Sequence, residues 1–297
     1  MIAAELIEAQ KARIDSILAK KFEKRNAWPP PLAEAIRYSL FAGGKRLRPV
    51  LALTVVELLG RDFTRFDNLF VALECIHTYS LIHDDLPAMD NDDLRRGLPT
   101  SHKKFGEAAA ILAGDGLLTF AFELLSEESF ARNFQPENVT RCVHQVASAA
   151  GPGGMVGGQF IDTCGVVAPS TEDRLQNMHD LKTARLLSVS VTAPAVLAGV
   201  HEAILQKLAE YGDAIGLAFQ VCDDILNVVG NQEYMGKAVG TDEKMGKWTY
   251  PKVLGLDGAA AKARELSAKA RAALGSFPPD RRRPLELLAE FVVERVK

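Results

Sequence analysis

The sequence predicts an all-α protein, and three observations on its 297 residues support that prediction. Apolar residues recur at helical spacings, as Ile7, Ile14 and Leu18 do near the start of the chain. Alternating runs of β-branched residues are few, and no Asn-Gly or Asp-Gly turn stands between two strand-like runs. Glycine and proline mark breaks between the helical segments. Together these features predict a bundle of roughly ten helices.

Ten segments carry the helical pattern, and several of them are bounded by a recognisable break. The predicted helices are 4–24, 33–41, 48–59, 66–85, 106–126, 137–150, 172–200, 202–229, 259–273 and 283–296. Three prolines at 29–31 separate the first two helices, and a proline follows the glutamine at 135 before the sixth. Residues 165–170 precede the seventh helix, and residues 275–279 separate the last two. Because no repeat or shift in composition marks a boundary, residues 1–297 are predicted to form one domain.

Charge and cysteine content argue against several classes of function. Lysine and arginine total 35 against 38 aspartate and glutamate, which gives a net charge of −3 and no global case for binding nucleic acid or an anionic membrane. The four cysteines form no C-x-x-C pair, so neither a zinc site nor a disulfide framework is indicated. Glu5 and Glu8 interrupt any apolar leader, and no uninterrupted apolar run approaches the ~18–20 residues that span a bilayer. We therefore expect a cytoplasmic protein without a membrane span.

The most informative segment lies at the end of the fourth predicted helix and contains five aspartates within ten residues. Asp84 and Asp85 directly follow an apolar run, where carboxylates oppose the negative end of the helix dipole and call for a nearby cation. With Asp90 they form a hard oxygen-ligand set that suits Mg²⁺ shared with a phosphate group. Arg95 and Arg96 follow, and guanidinium groups bind phosphate well. The alternative, a solvated acidic turn, does not explain why the cluster adjoins a core helix.

A second acidic cluster lies in the helix predicted over 202–229. Gln220, Asp223, Asp224 and Asn227 are three or four residues apart or adjacent, so they share one side of that helix. Two adjacent aspartates in an apolar helix are costly unless they meet cations. An exposed polar stripe is the alternative when this segment is judged alone. Two facing acidic helices in an all-α fold would hold several divalent ions around a diphosphate.

Five motifs in this chain resemble those of the trans-isoprenyl diphosphate synthases. In chain order they are GGKRLRP from Gly43, HDDLPAMD from His83 followed by RRG from Arg95, KT from Lys182, FQxxDD from Phe219, and GKxxGxDxxxGKxTYP from Gly236. Within that family the chain most resembles the bacterial farnesyl diphosphate synthases. The motifs run from about residue 43 to 251 in the family's order, so the resemblance covers nearly the whole chain. The combination is specific, whereas any one motif alone is weak evidence.

The resemblance implies long helices around a deep central cavity, a homodimer, and the condensation of isopentenyl diphosphate with an allylic diphosphate. It implies that three Mg²⁺ ions, for which Mn²⁺ substitutes, are held by Asp84, Asp85, Asp90 and Asp223. The residues it assigns to the allylic diphosphate are Arg95, Lys182, Lys237 and Lys247. Those it assigns to isopentenyl diphosphate are Gly44, Lys45, Arg48, His77 and Arg96, and those near the reacting carbons are Thr183 and Gln220. The implied catalytic set is Asp84, Asp85, Asp90, Arg95, Lys182, Asp223 and Lys247.

The chemistry of such a reaction agrees with these residue types. Breaking an allylic C–O bond leaves a carbocation and a diphosphate, so the growing negative charge needs electrostatic stabilisation rather than a protein nucleophile. The isopentenyl alkene then attacks the cation, and a proton must leave. We expect the departing diphosphate to take that proton, because no histidine or glutamate in the motifs is clearly placed as a base.

Product length is predicted from the residues just before the first acidic cluster. Tyr79 lies five residues before Asp84, about 7.5 Å along the helix. In the family a bulky residue there resembles a floor that stops chain growth, so Tyr79, with its neighbour Ser80, favours a C15 over a C20 product. The alternative is that Tyr79 is simply a packing residue, which is compatible with the same product.

The second acidic motif departs from the family pattern at Asn227, where an aspartate is usual. An amide oxygen still ligates Mg²⁺ but adds no charge, so we predict weaker metal binding at this wall rather than loss of catalysis. A class I terpene cyclase is one alternative, but it expects serine or threonine at 227 and glutamate at 231, where this chain has Asn227 and Asn231. A non-catalytic prenyltransferase subunit is another, but it requires a damaged first motif. The glycine-rich run at 151–159 is predicted to let two helices approach closely.

Overall fold

The computed structural model describes residues 2–23, 27–165, 171–230 and 246–296, which are almost entirely helical. The helices are α1 (Ala3–Glu23), α2 (Pro30–Leu40), α3 (Leu47–Leu58), α4 (Asp67–Asp84), α5 (Ser101–Phe105), α6 (Glu107–Ser126), α7 (Glu128–Ala131), α8 (Pro136–Ala150), α9 (Met155–Cys164), α10 (Glu172–His179), α11 (Arg185–Leu197), α12 (Glu202–Val229), α13 (Tyr250–Ala273) and α14 (Pro279–Glu294). Within these ranges the only sheet pairs β1 (Leu94–Arg95) with β2 (Leu98–Pro99), antiparallel. The predicted all-α class is confirmed.

Each predicted helix has a counterpart in the structure. The helix boundaries differ from the prediction where a π-helical turn or a glycine interrupts a helix. The segment predicted over 172–200 is divided by one π-helical turn, Asp180–Ala184, between α10 and α11. The helix predicted from 259 begins earlier, at Tyr250, and is broken at Gly255, whose φ of 72° is not helical. The described residues also contain α5, α7 and α9, which the periodicity did not predict because they are short or glycine-rich.

Two helices form the centre of the bundle. All residues from 186 to 197 in α11 are buried, and α4 is buried on nearly every side except toward its C-terminal end. A helix that is apolar all round belongs in a core. The 28-residue α12 packs along both α11 and α13. One hydrophobic core runs from α1 to α14 among the described residues, and the single domain over residues 1–297 stays a prediction.

Helix α6 is the one described helix that is long and apolar enough to cross a membrane when judged by length and composition alone, with a mean hydropathy of 1.6. It buries Ala110, Ala113, Leu117 and Ala121 and packs along α4. A core helix of a soluble protein passes the same test. The expectation of no membrane span therefore meets one described helix that passes by length and composition, and a single such helix is weak evidence for a span.

Candidate active site

A cavity of about 830 Å³ lies between the C-terminal half of α4 and α12, with α9, the π-helical turn and the turn before α3 as its other walls. The predicted site residues that line it are Gly44, Lys45, Arg48, His77, Tyr79, Ser80, Asp84, Arg95, Arg96, Lys182, Thr183, Gln220, Asp223 and Lys247. Asp85 and Asp90 lie behind this lining and contact residues that belong to it. Lys237 lies outside the described residues. The fold thus gathers side chains from distant parts of the sequence around one cavity.

The first acidic cluster is shaped by the turn that ends α4. The amide N–H of Asp90 donates to the carbonyl oxygen of Asp84 at 2.9 Å, which folds the chain back on the helix end. Asp85 is buried and accepts from Arg95 Nε at 3.0 Å, and Asp90 Oδ1 lies 2.9 Å from Lys247 Nζ. Asp84 forms no ion pair with a described residue, and burial raises its pKa to about 6. Arg95 and Lys247 therefore supply part of the positive charge that offsets the aspartates at the negative end of the α4 dipole.

The two aspartates of the second cluster have different surroundings although they are adjacent. Asp223 Oδ1 lies 2.8 Å from the guanidinium of Arg295, just after α14. Asp224 is 2% exposed and accepts from Gln220 Nε2 at 2.7 Å and from the backbone N–H of Tyr250 at 2.9 Å. That N–H belongs to the N-terminal end of α13, where backbone donors are unpaired and a negative charge is stabilised. Both aspartates line the cavity, but Asp224 also lies 3.3 Å from His179 Nε2 and is held by three neighbours, while Asp223 lies beside the cation of Arg295.

A hydrogen-bonded chain continues from Asp224 to the π-helical turn. Gln220 uses its amide nitrogen toward Asp224, and its oxygen accepts from Thr183 Oγ1 at 2.6 Å. π-helical turns occur often at functional sites, since they shift side chains relative to the helix on either side. The turn directs Lys182 and Thr183 to the same cavity wall.

Asp162 on α9 is a site residue that the sequence analysis missed. Its carboxylate pairs with Lys182 and lies 3.8 Å from Lys247 Nζ. Burial alone would raise the pKa of Asp162, but the two lysines lower it below its ordinary value. Gly158 permits this contact, since a Cβ there would lie 2.2 Å from the backbone nitrogen of Lys182. The predicted close approach of two helices at the glycine-rich run is therefore confirmed, whereas no local sequence pattern indicates the contact of Asp162 with its lysines.

The other side of the cavity is basic. Gly44 has a φ of 107°, and a Cβ at this position would lie 2.5 Å from the guanidinium carbon of Arg96. Arg96 Nη1 also donates a hydrogen bond to the backbone carbonyl of Gly43. Burial lowers the pKa of Lys45 to about 8 and that of Arg48 to about 10. Arg48 is buried, Arg96 is half-buried and Lys45 is exposed, and a cavity wall that carries these three cations is suited to a polyanion such as a diphosphate.

His77 and Tyr79 complete the α4 wall. His77 is half-buried, and burial followed by the nearby arginines lowers its pKa well below the ordinary value, which favours the neutral imidazole. The Tyr79 ring is buried and meets the His83 ring edge to face at 5.7 Å. Ser80 Oγ donates to the His77 carbonyl at 2.8 Å, which turns its hydroxyl toward its own helix. The aromatic ring of Tyr79 therefore has the bulk and support of a cavity floor.

The carboxylates fit a divalent metal by their chemistry rather than by their present arrangement. Among the described residues, no three histidine, cysteine or acidic groups are close enough to hold a metal ion. Asp85, Asp90 and Asp223 are paired with Arg95, Lys247 and Arg295. Asp84 is a half-buried carboxylate that forms no ion pair with a described residue, and a hard cation is the ligand that would offset its partial desolvation.

Comparison with known proteins gives a consistent result. The family model described as polyprenyl synthetase matches residues 29–274. The farnesyl diphosphate synthase of Geobacillus stearothermophilus is 47% identical over 258 residues, which cover 87% of this chain and 86% of that protein. A chloroplastic geranylgeranyl pyrophosphate synthase of Catharanthus roseus is 42% identical over 286 residues, covering 96% of this chain and 78% of that protein. The solved structure of a Helicobacter pylori geranyltransferase, complexed with magnesium and isoprenyl diphosphate, has a TM-score of 0.80 at 32% identity, covering 99% of this chain and 96% of that one.

Proposed function

Because the chain belongs to the polyprenyl synthetase family and is a trans-prenyl diphosphate synthase, we propose that its product is farnesyl diphosphate. It would condense isopentenyl diphosphate with dimethylallyl diphosphate and then with geranyl diphosphate. The observation that carries this assignment is the buried Tyr79 ring, braced by His83, five residues before Asp84. A longer C20 product is the second candidate, because a geranylgeranyl pyrophosphate synthase is also a relative. The family match leaves no support for the terpene cyclase alternative.

The proposed metal ligands are Asp84, Asp85, Asp90 and Asp223. When bound, Mg²⁺ ions offset the negative charge that develops on the leaving diphosphate. The half-buried Asp84, which forms no ion pair with a described residue, supports this role, and the cations now paired with the other three carboxylates would turn to the diphosphate instead. The H. pylori geranyltransferase complexed with magnesium and isoprenyl diphosphate supports the same choice of metal.

The chain's own residues divide between the two substrates. We assign Arg95, Lys182 and Lys247 to the allylic diphosphate, since they already lie beside the first acidic cluster or Asp162. Lys237 belongs to the same proposal by its motif. We assign the basic wall to isopentenyl diphosphate, and its members are Gly44, Lys45, Arg48, His77 and Arg96. The two diphosphates would then lie at opposite sides of one cavity.

The polar chain on the π-helical turn would face the reacting carbons. Because the Thr183 hydroxyl donates its hydrogen to Gln220, the lone pairs of its oxygen remain available to a carbocation. The allylic C–O bond breaks, the isopentenyl alkene forms the new C–C bond, and a proton then leaves the carbon next to the new cation. The released diphosphate is the base we assign to that proton, because its oxygens gain charge as the bond breaks.

A homodimer is the proposed assembly. Helix α6 buries one face against α4, while Ile111 and Leu112 are 42% and 58% exposed on another. Large apolar side chains grouped on an open helix face are typical of a protein interface. A second copy that covers this face would also account for the high hydropathy of α6. Light scattering on the purified protein tests this, and a monomer at micromolar concentration would contradict it.

The central experiment incubates the purified protein with Mg²⁺, isopentenyl diphosphate and each of three allylic starters of five, ten and fifteen carbons. We expect condensation with the C5 and C10 starters, a C15 product and no further growth. A Tyr79→Ala variant should release longer products at similar total turnover. Condensation with no starter would refute the synthase, and a C20 product from wild type would refute only the assignment of length. Unchanged C15 product from Tyr79→Ala would remove Tyr79 from the explanation.

A further inference from the structure

The turn that carries Lys45 and Arg48 has a strained backbone. Gly43 and Gly44 have φ values of 92° and 107°, and Arg46, which has a side chain, has a φ of 51°. Left-handed backbone is costly for a residue with a Cβ, and it persists only where the surroundings hold it. Arg46 itself is 3% exposed although it belongs to the cavity lining together with Lys45 and Arg48, so its guanidinium is directed into the protein.

Two carboxylates from two helices hold that guanidinium. Arg46 Nη1 lies 2.7 Å from Glu74 Oε1 on α4, and Arg46 Nε lies 2.9 Å from Asp15 Oδ1 on α1. Glu74 is completely buried, whereas the Asp15 side chain is partly exposed. A guanidinium that donates in two directions fixes its own position more tightly than an ammonium does. Arg46 therefore ties the strained turn to α1 and α4 at once.

Glu74 also lies among the groups that form the basic wall. It precedes His77 by three residues and so lies on the same side of α4. Its charge opposes the lowering of the pKa of both Arg48 and Arg96 that their burial causes. Among the described residues, the second oxygen of Glu74, Nε of Arg48 and Nδ1 of His77 are all buried without a hydrogen-bond partner. Glu74 thus offsets the charge of both arginines, to which Asp223 adds at Arg48 and Asp85 adds at Arg96.

Stability alone does not explain this arrangement. A buried ion pair costs about as much in desolvation as it gains in attraction, and an apolar replacement of similar volume is often at least as stable. What the pair supplies is a fixed geometry, together with a counter-charge that limits repulsion among neighbouring cations before a substrate binds.

We propose that Arg46 and Glu74 are positioning residues for the isopentenyl diphosphate half of the cavity, where Arg46 holds the left-handed turn that aims Lys45 and Arg48. Asp15 contributes from α1, a helix that precedes the residues matched by the family model. The inference rests on the proposed function, because it assigns the basic wall to isopentenyl diphosphate. Neither Arg46 nor Glu74 needs to touch the substrate.

Steady-state kinetics with both substrates varied separate positioning from a general loss of structure. For Glu74→Gln, which keeps the shape but removes the charge, we expect the KM for isopentenyl diphosphate to rise about tenfold, with the KM for geranyl diphosphate within about twofold of wild type. Asp15→Asn weakens only the contact between Arg46 and α1. Arg46→Lys keeps the positive charge but cannot donate to Asp15 and Glu74 at once. Each variant should raise the KM for isopentenyl diphosphate about threefold.

The matched control is Glu57→Gln. Glu57 pairs with Arg13 at 2.6 Å and so joins α1 to α3 without contacting the turn, and its variant should leave both KM values unchanged. Equal increases of both KM values in Glu74→Gln, or a lowered melting temperature alone, would overturn the proposal. If Glu74→Gln does not fold, unchanged KM values in Asp15→Asn and Arg46→Lys would overturn it. A wild-type protein that condenses no starter would instead refute the proposed function.

Discussion

The acidic and basic halves of the cavity are built on different principles. In the acidic half, Asp85, Asp90 and Asp223 are paired with cations that also line the cavity or lie at its edge, so each pair can be exchanged for other ions. In the basic half, a left-handed turn places Lys45 and Arg48 on either side of Arg46, which the buried Glu74 holds, and among the described residues polar atoms of Arg48 and His77 have no hydrogen-bond partner. The first half is suited to ligands that arrive with metal ions. The second is preorganised for a bare polyanion.

The largest effect should come from the unpaired carboxylate of the acidic half. Replacing Asp84 by asparagine keeps the shape and removes the charge, and we expect kcat to fall by about 10³ or more because a charged ligand is lost next to the developing diphosphate. The measurement is single-turnover condensation over a range of Mg²⁺ concentrations. A loss of less than tenfold, with unchanged Mg²⁺ dependence, would show that Asp84 is not part of the metal site.

A smaller effect is expected at Asp224, which is not one of the three aspartates of the acidic half that are paired with an arginine or lysine. In Asp224→Asn one acceptor becomes a donor, so the bond to the Tyr250 N–H or to Gln220 is lost and the Thr183–Gln220 chain loosens. We expect kcat to fall about 10- to 100-fold, with the Mg²⁺ concentration for half-maximal activity unchanged. An altered Mg²⁺ requirement would mean that Asp224 is a metal ligand after all, and the contrast with Asp223 would fail.

The Asn227→Asp variant tests whether the acidic half is weakened by the departure from the family pattern. An added carboxylate on the α12 wall should tighten metal binding and lower the Mg²⁺ concentration for half-maximal activity about two- to fivefold, with little change in kcat. A Mg²⁺ titration at saturating substrates measures this. If neither Mg²⁺ dependence nor turnover changes, position 227 does not contribute to the metal site.

The smallest effect is expected for His77→Gln in the basic half. Because the pKa of His77 is lowered, the native imidazole is neutral, and a neutral amide of similar reach should preserve the KM for isopentenyl diphosphate within about threefold. The unfolded chain takes up a proton at this histidine as the pH is lowered past the ordinary histidine pKa, whereas the folded chain does not. The free energy of unfolding therefore decreases as the pH is lowered. Thermal unfolding between pH 5 and 8 should therefore show a weaker loss at low pH for the variant. A KM increase above tenfold would indicate a charged histidine.

Much of this site was accessible from the sequence because its chemistry depends on residue types at short spacings. The acidic pairs are local patterns on helices whose periodicity is clear, whereas the roles of the residues from Gly43 to Arg48 and of Tyr79 follow from the family resemblance. Asp162 was not accessible in this way. A single aspartate in a short, glycine-rich helix has no local feature that indicates its two lysine partners.

The sequence by itself determined the all-α class, the order of the helices and the set of charged groups, since these follow from periodicity and from motifs within one or two turns. Only the tertiary structure decided how those charges pair. Asp90 meets Lys247 and Asp223 meets Arg295 across 157 and 72 residues. Adjacent residues on a helix point about 100° apart, so Asp223 lies beside Arg295 while Asp224 meets the first amide of α13. The role of each carboxylate is therefore set by which neighbouring helix its side chain faces, and packing between distant segments fixes that.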